Sequence, residues 1–194
     1  LNSAPPFTIQ PRLICNNGPL TSGGSFRTMR AILAILALLA LSGCMSDGKP
    51  EQPAMYLSMA NGGATLDPQT AASMISQYRQ NNGLGKVVVD PDLMKVAEAQ
   101  SMAMASRNKL DHDVKSPLAR RLSNSGFPAT AAVENVSAGY HTLAEAFSGW
   151  RDSPPHRANM LSRDVTKLGI AASYAPNTKY KVFWTLILAS TDAR

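Results

Sequence analysis

The sequence predicts an α+β fold in which helices cover an antiparallel sheet. Apolar residues recur at helical spacing through the first half of the folded region, from residue 67 to about residue 125. Three apolar or alternating runs that are typical of strands follow at residues 133–140, 168–174 and 180–189. One helical segment separates the first two runs, and Pro176-Asn177 marks a hairpin-like turn between the last two. Strands and helices do not alternate regularly, so repeated βαβ units are not expected.

Four helices are predicted from their start signals. Asp67-Pro68 and Asp90-Pro91 each place an N-cap acceptor before a proline that suits the first helical position, and the second of these helices is expected over residues 92–107. Ser116-Pro117 opens a short third helix that ends by Gly126. The fourth begins at the capping box Thr142-Leu143-Ala144-Glu145, which also accounts for Glu145 without a role in a site.

The first third of the chain is typical of an exported lipoprotein. Residues 29–44 read MRAILAILALLALSGC, with a basic start, an apolar run too short to span a bilayer and a small-residue ending. The ending resembles the bacterial lipobox, which predicts acylation of Cys44. Residues 1–28 are then an upstream extension before a true start at Met29, residues 45–66 a flexible tether, and residues 67–194 the folded domain.

These features predict a protein anchored in the cell envelope and facing the periplasm. Met45, rather than Asp, follows the expected lipidated cysteine, which favours the outer membrane. The membrane is therefore an expected partner through the lipid anchor. Cys15 and Cys44 both precede the tether, so the folded domain is expected to be stable without disulfides.

The basic charge of the chain does not indicate a nucleic-acid partner. The net charge is +6, from 19 basic and 13 acidic residues. Arg12, Arg27 and Arg30 lie before residue 45 in a stretch without Asp or Glu, which leaves 19 − 3 = 16 basic against 13 acidic residues in the remainder. No run of Lys and Arg longer than Arg120-Arg121 occurs, so the sequence contains no stripe suited to phosphates.

Five blocks between residues 78 and 189 carry a resemblance to a known family. They read YRQNNGLGKVVVDPDLMKVAEAQSMAMASRNKLDH, VENVSAG, EAFSGWRDSPPHRANML, LGIAASY and VFWTLILA. In order and spacing they resemble the CAP superfamily of cysteine-rich secretory proteins, antigen 5 and plant pathogenesis-related proteins, also called SCP-like domains. The third block resembles the bacterial branch. The resemblance implies a three-layer α-β-α sandwich with a central antiparallel sheet.

The resemblance also implies a cleft that can hold a divalent metal between two His and two Glu. His112 matches the first histidine and Glu134 the first glutamate, whereas Ser153 stands where the second glutamate would be and no histidine follows His156. Zinc normally takes three or four protein ligands, so only weak metal binding by His112 and Glu134 is expected. From the residues alone, a structural role is an equally good interpretation: His112 and Glu134 would form a hydrogen bond that ties the end of a helix to a strand.

The block SGWRDSPPHRANML supplies the remaining candidates. Ser153 is expected to cap a short helical turn, with Trp150 before it and Asn159 bridging turns as structural support. Arg157 has a planar fork suited to a buried carboxylate or to a row of backbone carbonyls, and is expected behind Glu134. His156 either joins this structural network or points into the cleft with His112 and Glu134.

Two functional hypotheses remain open. In the first, the cleft formed by His112, Glu134 and His156 binds a small apolar ligand, a glycan or a partner protein of the envelope. In the second, the protein is a metal-assisted hydrolase of an envelope polymer or peptide, with Glu134 as base and His112 and His156 holding the ion. Ser153 and His156 lack the strand-turn-helix setting of an activated nucleophile, so no catalytic residue is assigned and binding is favoured.

Overall fold

The computed structural model describes residues Glu51–Thr191. After a 3-10 turn at Ala54–Tyr56, this range contains five α-helices and four strands. The helices are α1 Pro68–Asn81, α2 Pro91–Arg107, α3 Leu118–Asn124, α4 Leu143–Asp152 and α5 Pro154–Met160. The strands are β1 Val88–Val89, β2 Ala131–Ala138, β3 Lys167–Ala175 and β4 Lys181–Ser190. The four predicted helices and the three predicted strands are thus present, and the predicted turn after Ser153 is α5.

The strands form one sheet in the order β1-β3-β4-β2. β4 pairs antiparallel with both β2 and β3, whereas β1 pairs parallel with β3. The expected antiparallel sheet is therefore mixed at one edge. The physical reason is that α2 and the elements after it lie between β1 and β3, and this long connection lets the chain return in the same direction.

Alternation along β4 divides the core between the two faces of the sheet. Val182, Trp184, Leu186 and Leu188 pack with apolar residues of α1, α4 and α5. Phe183, Ile187 and Ala189 face the other way, against α2, α3 and the loop between them. Helices therefore cover both faces, which confirms the three-layer α-β-α sandwich.

Most of the predicted helix starts have the expected geometry. The side chains of Asp67 and Asp90 each accept hydrogen bonds from the first backbone N–H groups of their helices, and Thr142 with Glu145 forms a complete capping box. Ser153 is different, because its side chain makes no capping hydrogen bond although it stands at the N-cap of α5. Its predicted capping role is therefore wrong.

The predicted tether overlaps the folded core. Met59 is 5% exposed and packs with residues of α1 and α4, and its backbone N–H donates to the carbonyl of His141 at 2.7 Å. Met55, Ala64 and Leu66 are partly buried against the same cluster. The folded domain therefore begins before residue 67, because scattered apolar residues without helical or strand periodicity can still be buried.

The predicted extension at 1–28, the signal sequence at 29–44 with Cys44, and the start of the tether lie outside the described residues. Between Glu51 and Thr191, no helix combines the length and the apolar character that crossing a membrane requires.

Candidate functional site

His112 and Glu134 are in direct contact. Glu134 lies in β2 opposite Ile187, so its side chain points to the face of the sheet that α2 and α3 cover. His112 lies in the loop between α2 and α3, and its Nδ1 is 2.9 Å from Glu134 Oε2. The Glu134 side chain is 3% exposed, whereas that of His112 is 54% exposed. The buried carboxylate therefore holds one nitrogen of an imidazole that faces solvent.

Arg121 of α3 is the second partner of this carboxylate. Its Nη2 donates to Glu134 Oε1 at 2.8 Å and to the backbone carbonyl of His112 at 3.2 Å. The Arg121 side chain is only 9% exposed, so the ion pair is largely shielded from water. Both oxygens of Glu134 are thus engaged, one by His112 and one by Arg121.

Arg157 does not occupy the position that the sequence predicted for it. It is exposed on α5, and Arg121 holds Glu134 instead. The other role considered for Arg157, binding a row of carbonyls, belongs to Arg79, which donates to the backbone oxygens of Gly85, Met160, Ser162 and Val165. Helical spacing indicates that both arginines lie on the buried side of their helices, although it does not identify their partners. Arg79 follows the buried Ile75 by four residues, and Arg121 lies three after Leu118 on the apolar side of α3.

Gln100 fixes the loop that carries His112. This residue of α2 is 1% exposed, and its Nε2 donates to the carbonyls of Asp111 and His112, both at 2.9 Å. The backbone of His112 is therefore held by two side chains, Gln100 and Arg121, and its ring by a third, Glu134. Neither Gln100 nor Arg121 was among the predicted site residues.

His156 lies at the first turn of α5, beside the edge strand β2. Its backbone carbonyl accepts from Asn135 Nδ2 at 3.0 Å, and its side chain is half-buried. Burial, together with the nearby charge of His112, lowers the pKa of His156 below its ordinary value. The ring is therefore largely neutral at pH 7 and can donate and accept hydrogen bonds. We call His112, Glu134 and His156 the histidine site.

The predicted structural support around His156 is present in part. Trp150 is 1% exposed and packs edge-to-face with Trp184 at a ring-centroid distance of 6.5 Å. Asn159 Nδ2 donates to the Glu134 carbonyl and to Asn135 Oδ1, both at 2.9 Å. Trp150 and Asn159 therefore anchor α4 and α5 to the sheet, whereas Ser153 and Arg157 make no such contact.

The exposed group of the pair is the imidazole of His112, whereas the Glu134 carboxylate is buried. Because Nδ1 of His112 is hydrogen bonded to Glu134, Nε2 is the ring nitrogen that remains for a ligand. Over the described range from Glu51 to Thr191, no group of three or more His, Cys, Asp or Glu side chains is arranged to hold a metal ion. A groove of about 750 Å³ lies apart from this site between α3 and the start of β2, where Leu118 and Phe127 line it.

The family follows from a comparison of the chain with known protein families. The model of the CAP family, described as the cysteine-rich secretory protein family, matches residues 72–188. The chain belongs to the CAP family. All three members of the histidine site lie within the matched range, so the site is part of the CAP domain itself.

Several bacterial proteins are similar to this CAP domain. The uncharacterized protein YkwD of Bacillus subtilis (strain 168) is 33% identical over 95 residues, which are 47% of this chain and 37% of that protein. An extracellular protein with an SCP domain from Bacillus anthracis str. Ames is 25% identical with a TM-score of 0.56, over 66% of this chain and 45% of the other. The chain therefore spans less than half the length of each of these two relatives.

A third similarity concerns the fold alone. An outer surface protein of Borrelia burgdorferi has a TM-score of 0.59 at 18% identity, covering 68% of this chain and 100% of the other. The chain is thus a CAP-domain protein of the bacterial type, with the α-β-α architecture of its structural neighbours.

Proposed function

We propose that this CAP-domain protein is a lipid-anchored binding protein of the cell envelope, and that its histidine site binds a polar ligand such as a glycan or a peptide. The observation that carries the proposal is the state of Glu134. Its two oxygens are engaged by His112 and Arg121, and its side chain is 3% exposed. The site therefore offers the fixed imidazole of His112 to a ligand, with the carboxylate behind it.

The proposed location rests on the N-terminal sequence and on the similar proteins. The lipobox at Cys44 supports an anchor in the membrane, and Met45 favours the outer membrane. One similar structure, at 25% identity, is of an extracellular protein. We place the domain outside the cytoplasm, facing the periplasm, where glycans and peptides of the envelope are within reach.

Co-sedimentation with purified cell-wall sacculi tests this proposal. The full chain with Cys44→Ser, to remove the anchor, is mixed with sacculi and the bound fraction is measured. His112→Ala is expected to lower the bound fraction several-fold. His141→Ala is the matched control, because His141 is exposed and lies outside the histidine site. Equal binding by both variants would contradict the proposal.

A metal-assisted hydrolase is the second candidate. One observation favours it: a carboxylate that holds one nitrogen of a histidine is the usual arrangement behind a metal-binding imidazole. In this arrangement His112 Nε2 would bind the ion, and His156 could supply a second nitrogen. Two protein ligands fit zinc poorly, and Glu134 would have to leave Arg121 to act as a base. We therefore favour binding.

Metal analysis separates the two candidates. The full chain is purified without chelator, and its metal content is measured before and after dialysis against chelator, together with its melting temperature. We expect weakly held metal at most, lost on dialysis without a change in melting temperature. Tightly retained stoichiometric metal that disappears in His112→Ala would favour the hydrolase.

A further inference from the structure

Asn135 connects the edge of the sheet to the turn that carries His156. It lies in β2 and is 1% exposed. Its register partner is Leu186, which packs with α1, α4 and α5, so the Asn135 side chain points away from the face on which Glu134 holds His112. From there its Nδ2 donates to the backbone carbonyl of His156 at 3.0 Å.

Asn159 fixes the orientation of this amide. Its Nδ2 donates to Asn135 Oδ1 at 2.9 Å, so the oxygen of Asn135 faces Asn159 and the nitrogen is left for His156. The same Asn159 nitrogen donates to the backbone carbonyl of Glu134 at 2.9 Å. Two amides therefore connect β2 to both the first and the second half of α5.

The first turn of α5 needs this external support. The helix has only seven residues, and the side chain of Ser153 does not cap it. Short helices are marginal alone and depend on tertiary contacts. The contacts of Asn135 and Asn159 are thus polar interactions that fix the turn at His156 against β2.

We infer that Asn135 and Asn159 are positioning residues for His156. Asn135 holds its backbone directly, and Asn159 acts through Asn135. The inference deepens the proposed function, because it makes His156 a fixed part of the histidine site. The positioning of His156 is a property of the protein without ligand, so this inference can be wrong while the binding proposal stands.

Asn135→Asp is the primary variant. An aspartate has nearly the same shape and still accepts from Asn159, but it cannot donate to the His156 carbonyl. Asn159→Ala is the second variant and removes both donations of that amide. Asn82→Ala is its matched control, because Asn82 Nδ2 also donates to a backbone carbonyl, that of Tyr78 at 2.8 Å, but at the end of α1.

The readouts are local to each histidine. Carbethoxylation by diethyl pyrocarbonate of the full chain with Cys44→Ser is followed by peptide mass spectrometry at His112, His141 and His156, and imidazole NMR cross-peaks are recorded. In Asn135→Asp the His156 cross-peak is expected to move. The reaction rate of His156 should also change by about fivefold, the factor that corresponds to one hydrogen bond. The reaction rate and the cross-peak of His112 should be unchanged, because Glu134 still holds its ring.

A folded Asn135→Asp protein with an unchanged His156 rate and cross-peak overturns the inference. So does an equal change in Asn82→Ala, because general destabilisation would then explain the effect. If Asn135→Asp does not fold, Asn159→Ala is judged by the same two readouts and the same two contrary results.

Discussion

Glu134 and Asn135 are consecutive residues of β2, and each holds one of the two histidines of the site from an opposite face of the sheet. Glu134 contacts the ring of His112 at 2.9 Å, and Asn135 donates to the backbone of His156 at 3.0 Å. Successive side chains of a strand point to opposite faces, so one dipeptide reaches both helical layers. The histidine site is therefore built around one point on the edge strand.

Removing Arg121 should destabilise the domain strongly. Arg121→Met leaves Glu134 buried with one partner fewer, and breaking a buried ion pair in this way costs about 3 kcal/mol or more. Arg157→Met is the matched control, because that arginine is exposed, and its effect should be within about 0.5 kcal/mol. Urea unfolding of the full chain measures the free energy of unfolding of both variants. Similar losses of stability in the two variants would show that the ion pair is not the support of Glu134.

The pH dependence of stability should contain a contribution from His156. Its pKa is lower in the folded protein than in the unfolded chain, so the unfolded state binds protons more readily. The contribution of His156 to the stability is fully present above the ordinary pKa of about 6.5. It decreases as the pH falls below that value towards the lowered pKa. His156→Gln should reduce this acid-side slope in unfolding curves measured between pH 7 and pH 5. An acid-side slope that is the same in His156→Gln as in the wild type would count against the assignment.

The sequence predicted the helices better than the site. Asp67, Asp90 and the pair Thr142 and Glu145 are local signals, and the helices begin where those signals lie. β1 was missed because a strand of two residues has no periodicity. Arg121 was missed because nothing local relates it to Glu134, thirteen residues away in another layer. Its contact depends on how α3 lies over the sheet.

Close packing of α2 on β3 gives a further stability prediction. A methyl group on Gly169 would overlap the backbone of Leu93, which cannot move without shifting α2. Gly169→Ala should therefore cost about 1–3 kcal/mol, the usual range for overpacking. Gly85→Ala is the control, because the space around Gly85 is open. Thermal unfolding of both variants checks the contrast, and an unaffected Gly169→Ala protein would mean that the two layers are not this close.

The proposed anchor makes a prediction in cells. Cys44→Ser should move the protein from the membrane fraction to the soluble envelope fraction, because acyl chains contribute about 0.8 kcal/mol per buried CH₂. Fractionation with an antibody against the domain, alongside mass spectrometry of the wild-type N-terminus, measures this. A variant as membrane-bound as the wild type would show that Cys44 is not the anchor.

We propose that His112 and His156 present their rings to one ligand. The most direct test of this proposal is an NMR titration of the full chain with Cys44→Ser by soluble fragments released from cell wall, following the imidazole cross-peaks of His112, His156 and His141. We predict saturable shifts of His112 and His156 with the same apparent Kd, while His141 stays in place. Saturable binding that leaves both site histidines unmoved, or no binding at all, would contradict the account.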